Sequence, residues 1–172
     1  MFTEASEKAL EQQQQLQEYT SQLESQNERL ERLGRINAIV RDTQRTLVEA
    51  KTRDEIESAV CSHLTQIEHW GLAWIGSQDI VTDGVQVREA SDEHASALAL
   101  EGQKVEGDSL ADQTLQATSV TEIPHILSAD GPEPWRQTAL EFGYQSALSI
   151  PISYDEREYG VLEIYGTRPG VF

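Results

Sequence analysis

Two segments near the end of the chain read QSALSIPIS (residues 145–153) and EYGVLEIYG (residues 158–166). Both alternate between apolar and other residues, and a period of two predicts β-strands whose side chains point in turn to the two faces of a sheet. Only the short link of residues 154–157 separates them. We therefore predict a β-hairpin at this end of the chain.

Three more strands are predicted upstream of this hairpin. The apolar run of residues 72–76 and the alternating run of residues 85–90 form a second hairpin, turning through Asp83-Gly84. Residues 120–123 form a short strand that Pro124 stops, because proline cannot donate a hydrogen bond to a neighbouring strand. Residues 91–107 are small and polar, and we expect an irregular excursion with one helical turn.

Helix signals separate these strands. Thr52 and Glu55 form a capping box, and the apolar spacing after them predicts a helix that ends near Gly71. Asp108 or Ser109 caps a helix that runs to about Thr118. Pro134 opens a third helix over residues 135–142, and Gly143 closes it.

This order of elements predicts an α+β domain with a largely antiparallel sheet and helices on both faces. The first fifty residues precede it as a long helix with a heptad seam of Leu16, Tyr19, Leu23, Leu30 and Leu33. We predict a coiled-coil stem over residues 1–33 that joins two copies of the chain into a homodimer, and a domain over residues 34–172. Beyond Gly34 the apolar stripe broadens, so Ile36, Val40 and Leu47 are expected to join the core of the domain.

Thirty acidic residues against 13 basic residues give a net charge of −17. This charge disfavours direct contact with nucleic acid or an anionic membrane. The acidic residues are spread along the chain, and its only lysines are Lys8, Lys51 and Lys104. This composition is typical of a protein from a salty cytoplasm, although an ordinary acidic domain remains the alternative. The single cysteine excludes an intramolecular disulfide, and the chain has neither a signal peptide nor a membrane-spanning run, so we expect a cytoplasmic location.

No catalytic or metal-binding group is predicted. Cys61 and His63 lie two residues apart on a helix and point in different directions, which does not suit paired metal ligands. A ligand pocket is predicted instead where the open face of the sheet meets the later helices, and it would be lined by Trp74, Arg88, His125 and Trp135. The alternative places both tryptophans in the core, Arg88 on the surface and His125 in a loop.

The segments Pro134-Trp135-Arg136, Gly143–Pro151 and Tyr159–Leu162 resemble the GAF domain of haloarchaeal bacterio-opsin-activator-like regulators. The resemblance implies a GAF/PAS-like fold within an intracellular regulator that also has a sensory region upstream and a DNA-binding region downstream. GAF domains usually end in a further helix, which residues 168–172 are too few to form, so we expect the chain to be a fragment. Methionine sulfoxide reductases of this fold need several cysteines, which argues against that activity.

The predicted function is therefore a non-catalytic sensory domain that dimerises through its stem and relays a signal to a downstream DNA-binding output. Any cofactor is unknown, and a small-molecule ligand would act by binding one helix arrangement better than another. Two alternatives stay open: the input domain of a sensor histidine kinase, and a structural dimerisation module that binds no ligand.

Overall fold

The computed structural model describes residues 2–50, 52–79, 84–99, 109–130, 133–155 and 157–172. The first element is helix α1, Phe2–Glu49, which continues through Gly34 as predicted. The chain divides into two compact units, Met1–Val40 and Arg41–Phe172, and the boundary falls within α1. Among the described residues, no helix is both long enough and apolar enough to cross a membrane.

The first unit is a helix whose seam residues face solvent. Leu16, Tyr19, Leu23 and Leu30 are 65–69% exposed, and Leu33 is 47% exposed. The expectation that Val40 joins the domain core is wrong, because Val40 belongs to this unit and is 46% exposed. A side chain that stays this exposed removes little apolar surface from water and so adds little to a core. Ile36 is partly buried, and the side chain of Leu47 lies outside the described residues.

The second unit contains a five-stranded antiparallel sheet, as predicted. Its strands are β1 (Trp70–Asp79), β2 (Gly84–Ala90), β3 (Thr121–Ile123), β4 (Ser146–Tyr154) and β5 (Arg157–Gly166), in the order β2-β1-β5-β4-β3. β4 and β5 pair along their whole length and form the predicted terminal hairpin. The predicted turn residue Asp83 lies outside the described residues. Residues 167–172, after β5, contain no helix.

Four helices and one 3-10 turn complete this unit. They are α2 (Arg53–Leu64), α3 (Ala95–Leu98), α4 (Leu110–Ala117), the 3-10 turn Ile126–Ser128 and α5 (Glu133–Glu141). The Thr52 side chain caps α2 by accepting a hydrogen bond from the Glu55 amide at 3.2 Å. α2 ends at Leu64 rather than near Gly71, because the Thr65 amide bonds back into the last turn and His69 adopts a φ of 71° that redirects the chain into β1.

The helices cover both faces of the sheet. α2 packs on β1 and β2, where Cys61, Ala73, Ile75 and Ile164 form a small core. On the other face, α3, α4 and α5 enclose a larger core that includes Leu72, Trp74, Leu110, Trp135, Val161 and Tyr165. Alternate residues of β1 and β5 therefore serve opposite faces, as a period of two requires.

Gly160 lets β5 approach β1 closely. Its φ is 151°, and a Cβ atom at this position would lie 2.1 Å from the carbonyl oxygen of Gly76. No other residue type fits there without displacing one of the two central strands. This contact helps to fix the register that places Trp74 opposite Glu163.

We expect Ser109→Ala to lower the free energy of unfolding by about 1 kcal/mol. Ser109 is the N-cap of α4: its Oγ accepts from the Asp112 amide at 3.1 Å, and Asp112 Oδ2 accepts from the Ser109 amide at 3.1 Å. Urea unfolding at constant KCl measures the loss. Ser119→Ala, an exposed change beyond the end of α4, should alter stability by only a few tenths of a kcal/mol. Equal effects of the two changes would contradict the capping role.

Candidate functional site

A polar group lies inside the larger core. In the strand register, Glu163 of β5 pairs with Trp74 of β1 on one side and with Ser149 of β4 on the other. Trp74 and Ser149 are fully buried, and Glu163 is 1% exposed. The row therefore crosses the three central strands on the face that α4 and α5 cover. We call Trp74, Trp135, Ser149, Glu163 and Tyr165 the Glu163 cluster.

Hydrogen bonds tie this cluster to α5. The indole Nε1–H of Trp135 donates to the hydroxyl oxygen of Tyr165 at 2.9 Å. The Tyr165 hydroxyl in turn donates to Glu163 Oε2 at 2.8 Å. Burial, and then the neighbouring Glu163, raise the pKa of Tyr165 well above its usual value, so the hydroxyl keeps its proton. Helix α5 and strand β5 are thus joined through two successive buried hydrogen bonds.

The carboxyl group of Glu163 holds its proton unusually tightly. Removal from water raises its pKa from the usual 4.5 to about 8. Tyr165, Ser149 and Trp74 partly offset this effect by lowering the pKa, whereas the charge of Asp112 on α4 raises it. At neutral pH most molecules carry a neutral acid here.

Several polar atoms in this layer have no hydrogen-bond partner among the described residues. They are Trp74 Nε1, Thr114 Oγ1, Ser149 Oγ and Glu163 Oε1. Trp74 Nε1 and Ser149 Oγ lie close enough to the carboxyl group to favour its ionised form, but neither completes a hydrogen bond with it. Thr114 is fully buried on α4, which packs against β4 and β5.

The structure brings two of the four predicted pocket residues together. Trp74 and Trp135 share the larger core, and both belong to the Glu163 cluster. Arg88 points to the opposite face, where its guanidinium contacts Glu57 at 3.2 Å and Asp54 at 3.5 Å, both on α2. His125 lies at the surface in an open cleft of about 290 Å³ near the 3-10 turn. The predicted pocket is therefore not formed by these four residues as a group.

Sequence reasoning missed Glu163, Ser149 and Tyr165. The signal was available: Val161, Glu163 and Tyr165 alternate on one face of β5, and Val161 and Tyr165 are apolar or aromatic. A carboxylate between two such residues occupies a core position. Its hydrogen-bond donor Tyr165 lies two residues further along the same strand, but the donor to Tyr165 is Trp135 of α5, which a pattern along one segment cannot reveal.

Thiol and metal chemistry find little support elsewhere in the described residues. Cys61, the sole cysteine of the chain, is fully buried on the α2 face, away from the Glu163 cluster. Burial, and then the charges of Glu89 and Glu57, raise the pKa of its thiol to about 12. In the part of the chain that the structure describes, no group of three or more His, Cys, Asp or Glu side chains is placed to hold a metal ion.

The sequence profile of the GAF domain family matches residues 50–172, which include every strand of the sheet and the whole Glu163 cluster. The chain belongs to the GAF domain family. The resemblance inferred from its sequence is thereby confirmed. The matched segment begins just after α1, so the long helix precedes the GAF domain.

Two curated relatives of this GAF chain come from haloarchaea. It is 28% identical over 166 residues to a Haloferax volcanii protein named as a transcriptional regulator, and 24% identical over 144 residues to the bacterioopsin transcriptional activator of Halobacterium salinarum. These alignments cover 89% and 83% of the chain but only 25% and 20% of the relatives. The chain thus spans a quarter or less of the curated relatives that it matches.

Solved structures support the fold alone, because their sequences are 11–14% identical to this GAF domain. The reduced form of the free methionine sulfoxide reductase of Staphylococcus aureus has a TM-score of 0.60, with 79% of this chain and 81% of that chain covered. A GAF domain of an Acinetobacter phosphoenolpyruvate-protein phosphotransferase gives 0.54, with 80% and 78% covered. A domain assigned to a Sinorhizobium meliloti sensor histidine kinase gives 0.53, with 72% and 78% covered.

Proposed function

We propose that this chain is the regulatory, non-catalytic GAF domain of a transcription regulator, that it dimerises through α1, and that it relays a signal to a DNA-binding output. The observation that carries the proposal is the match to two haloarchaeal regulators across most of the chain. The acidic composition, net −17, agrees with a salt-rich cytoplasm such as these organisms maintain. The same charge makes the described domain a poor partner for DNA, so the output would lie in another part of the regulator.

A non-catalytic role is supported by the state of the thiol. The reductases that share this fold are named for their action on methionine sulfoxide. A thiol must ionise to act as a nucleophile, and burial holds the Cys61 thiol protonated far above neutral pH. We therefore infer that this chain resembles those enzymes in its fold and not in its chemistry.

Dimerisation is supported by the exposed seam of α1. Leu16, Leu23 and Leu30 recur every seven residues, Tyr19 and Leu33 lie between them, and the four most exposed of these side chains are 65–69% exposed. A heptad row of this kind is buried when two helices wind around each other. A second copy of the chain supplies the partner helix with the matching repeat.

The dimer is tested by the mass of the protein in solution at high KCl. We expect the full chain to be a dimer by sedimentation equilibrium and the Leu16→Lys/Leu23→Lys variant to be a monomer, because two lysines on each helix would place four charges in the seam. The control, Gln14→Lys/Ser21→Lys, adds the same charge on the outer face and should remain dimeric. A monomeric parent chain, or equal masses for the two variants, would remove this part of the proposal.

A further inference from the structure

The unpartnered polar atoms of the larger core are concentrated in one layer. Four of the five found among the described side chains lie between the sheet and α4, and three of the four are oxygens: Glu163 Oε1, Ser149 Oγ and Thr114 Oγ1. A buried polar atom without a partner costs about 1–3 kcal/mol, and native domains contain few of them. A buried water molecule or a ligand can complete the hydrogen bonds of such a group of atoms.

The charge of the layer indicates which ligand would complete it. Glu163 is the buried acid, Asp112 adds a second negative charge nearby, and none of the described side chains that shift the pKa of Glu163 is cationic. Tyr165 already satisfies Oε2, so Oε1 is the oxygen left to accept a hydrogen bond. A buried carboxylate is stable only when a positive group or several donors pair with it.

The number and type of the unpartnered atoms narrow the chemical class of the ligand further. A primary ammonium has three N–H donors and no acceptor, which matches three unpartnered oxygens. The aromatic rings of Trp74, Trp135 and Tyr165 also belong to the cluster, and their faces attract cations. A bare metal ion fits less well, because the Trp74 indole is a donor and the layer has a single carboxylate.

We propose that the Glu163 cluster, together with Thr114 of α4, binds the terminal ammonium group of a small primary amine. The amine nitrogen donates to Glu163 Oε1, Ser149 Oγ and Thr114 Oγ1, and the ionised carboxylate then accepts the Trp74 indole N–H as well. The inference rests on the proposed sensory function, since it names the class of signal that the domain would detect. Binding of the cation releases the proton that Glu163 holds in the free protein.

The link between the site and α5 gives the ligand a way to act. Ionised Glu163 is a stronger acceptor than the neutral acid, so the hydrogen bond from Tyr165, and through it the bond from Trp135, tightens when the amine is bound. Thr114 places α4 against the same ligand. An amine would thus hold α4 and α5 against the sheet more firmly than the free state does.

Methylammonium chloride is the probe, and nuclear magnetic resonance of the full chain is the measurement. The indole N–H signals of Trp74 and Trp135 should shift saturably as methylammonium replaces KCl at constant total salt. Trp70, whose indole lies on the opposite face beside Phe172, is an internal control and should not move. Tetramethylammonium has the same charge but no N–H donor, and it should leave all three signals unchanged.

Two variants complete the test. Glu163→Gln should weaken methylammonium binding roughly tenfold or more, because the ion pair becomes a neutral hydrogen bond. Glu93→Gln removes an exposed carboxylate and should bind as the parent does. In the parent at pH 7, calorimetry in buffers of different ionisation enthalpy should show release of most of one proton per amine bound.

Absence of a saturable shift, equal shifts with both cations, or equal affinity of the parent and Glu163→Gln would each overturn the amine site. None of these results depends on dimerisation, and the charged-seam variant can fail without affecting the amine titration. Failure of this inference and failure of the proposed dimeric relay are therefore distinguishable. A domain that ignores both cations would agree with a structural dimerisation module.

Discussion

Glu163→Gln should make the protein more stable, and the gain should grow with pH. In the folded chain the pKa of Glu163 is about 8, against a usual value of 4.5. The folded state therefore keeps a proton that the unfolded state releases. The stability associated with that proton is fully present below pH 4.5 and is lost as pH rises through 8. The whole loss is on the order of 5 kcal/mol.

A glutamine side chain resembles the neutral acid but does not ionise, so the variant does not lose stability as the pH rises. Its carbonyl oxygen can accept from the Tyr165 hydroxyl, and its amide can donate to Ser149, at the same side-chain length. We expect the free energies of unfolding of parent and variant to be close at pH 5 and to differ by about 3 kcal/mol or more at pH 9 in favour of the variant.

Urea unfolding from pH 5 to pH 9 at constant KCl measures this difference. Subtracting the free energy of unfolding of the parent from that of the variant at each pH removes the contribution of the many other carboxylates to the pH dependence. The matched exposed change, Glu93→Gln, should give a difference that does not vary with pH in this range. A constant difference for Glu163→Gln would show that the buried carboxyl group titrates as an ordinary surface acid.

The fold was predictable because its signals are local. Pro134 and Gly143 bracket α5, Ser109 caps α4, and the alternation of residues 145–153 and 158–166 specifies the terminal hairpin. Each of these features acts within a few residues of its own position in the chain. The end of α2 was misplaced because the left-handed backbone of His69 is not marked by a glycine or an asparagine.

The site was less predictable because its partners are distant in sequence. Trp74 and Trp135 were selected as aromatic residues near an open face; Trp74 pairs with Glu163 in the strand register, and Trp135 is linked to it through Tyr165. Arg88 was misassigned although it alternates with Val85 and Val87 of the larger core, and a period of two already places it on the opposite face, beside α2. The alternation along β5 indicates that Glu163 is buried, but it does not reveal the link through Tyr165 to Trp135 of α5.

Tyr165→Phe should destabilise the domain by about 2–4 kcal/mol, and by more at pH 9 than at pH 6. The hydroxyl bridges α5 and the buried acid, so its removal leaves both Trp135 Nε1–H and Glu163 Oε2 without this partner. At pH 6 both lost bonds are between neutral groups. At pH 9 the parent carboxyl group is largely ionised, and the bond that it loses is charge-assisted and about twice as strong.

The sign of the pH effect follows from the direction of the hydrogen bond. Tyr165 donates to the carboxyl group and so lowers the pKa of Glu163. Its removal raises that pKa further, so the loss of stability that begins near pH 4.5 continues to a higher pH and becomes larger in total. Trp135→Phe provides the contrast, because it removes a donor to Tyr165 but leaves the Tyr165–Glu163 bond in place. The loss in free energy of unfolding caused by Trp135→Phe should be nearly the same at pH 6 and pH 9. If Tyr165→Phe were equally independent of pH, the hydroxyl would be a packing group rather than the link between the acid and α5.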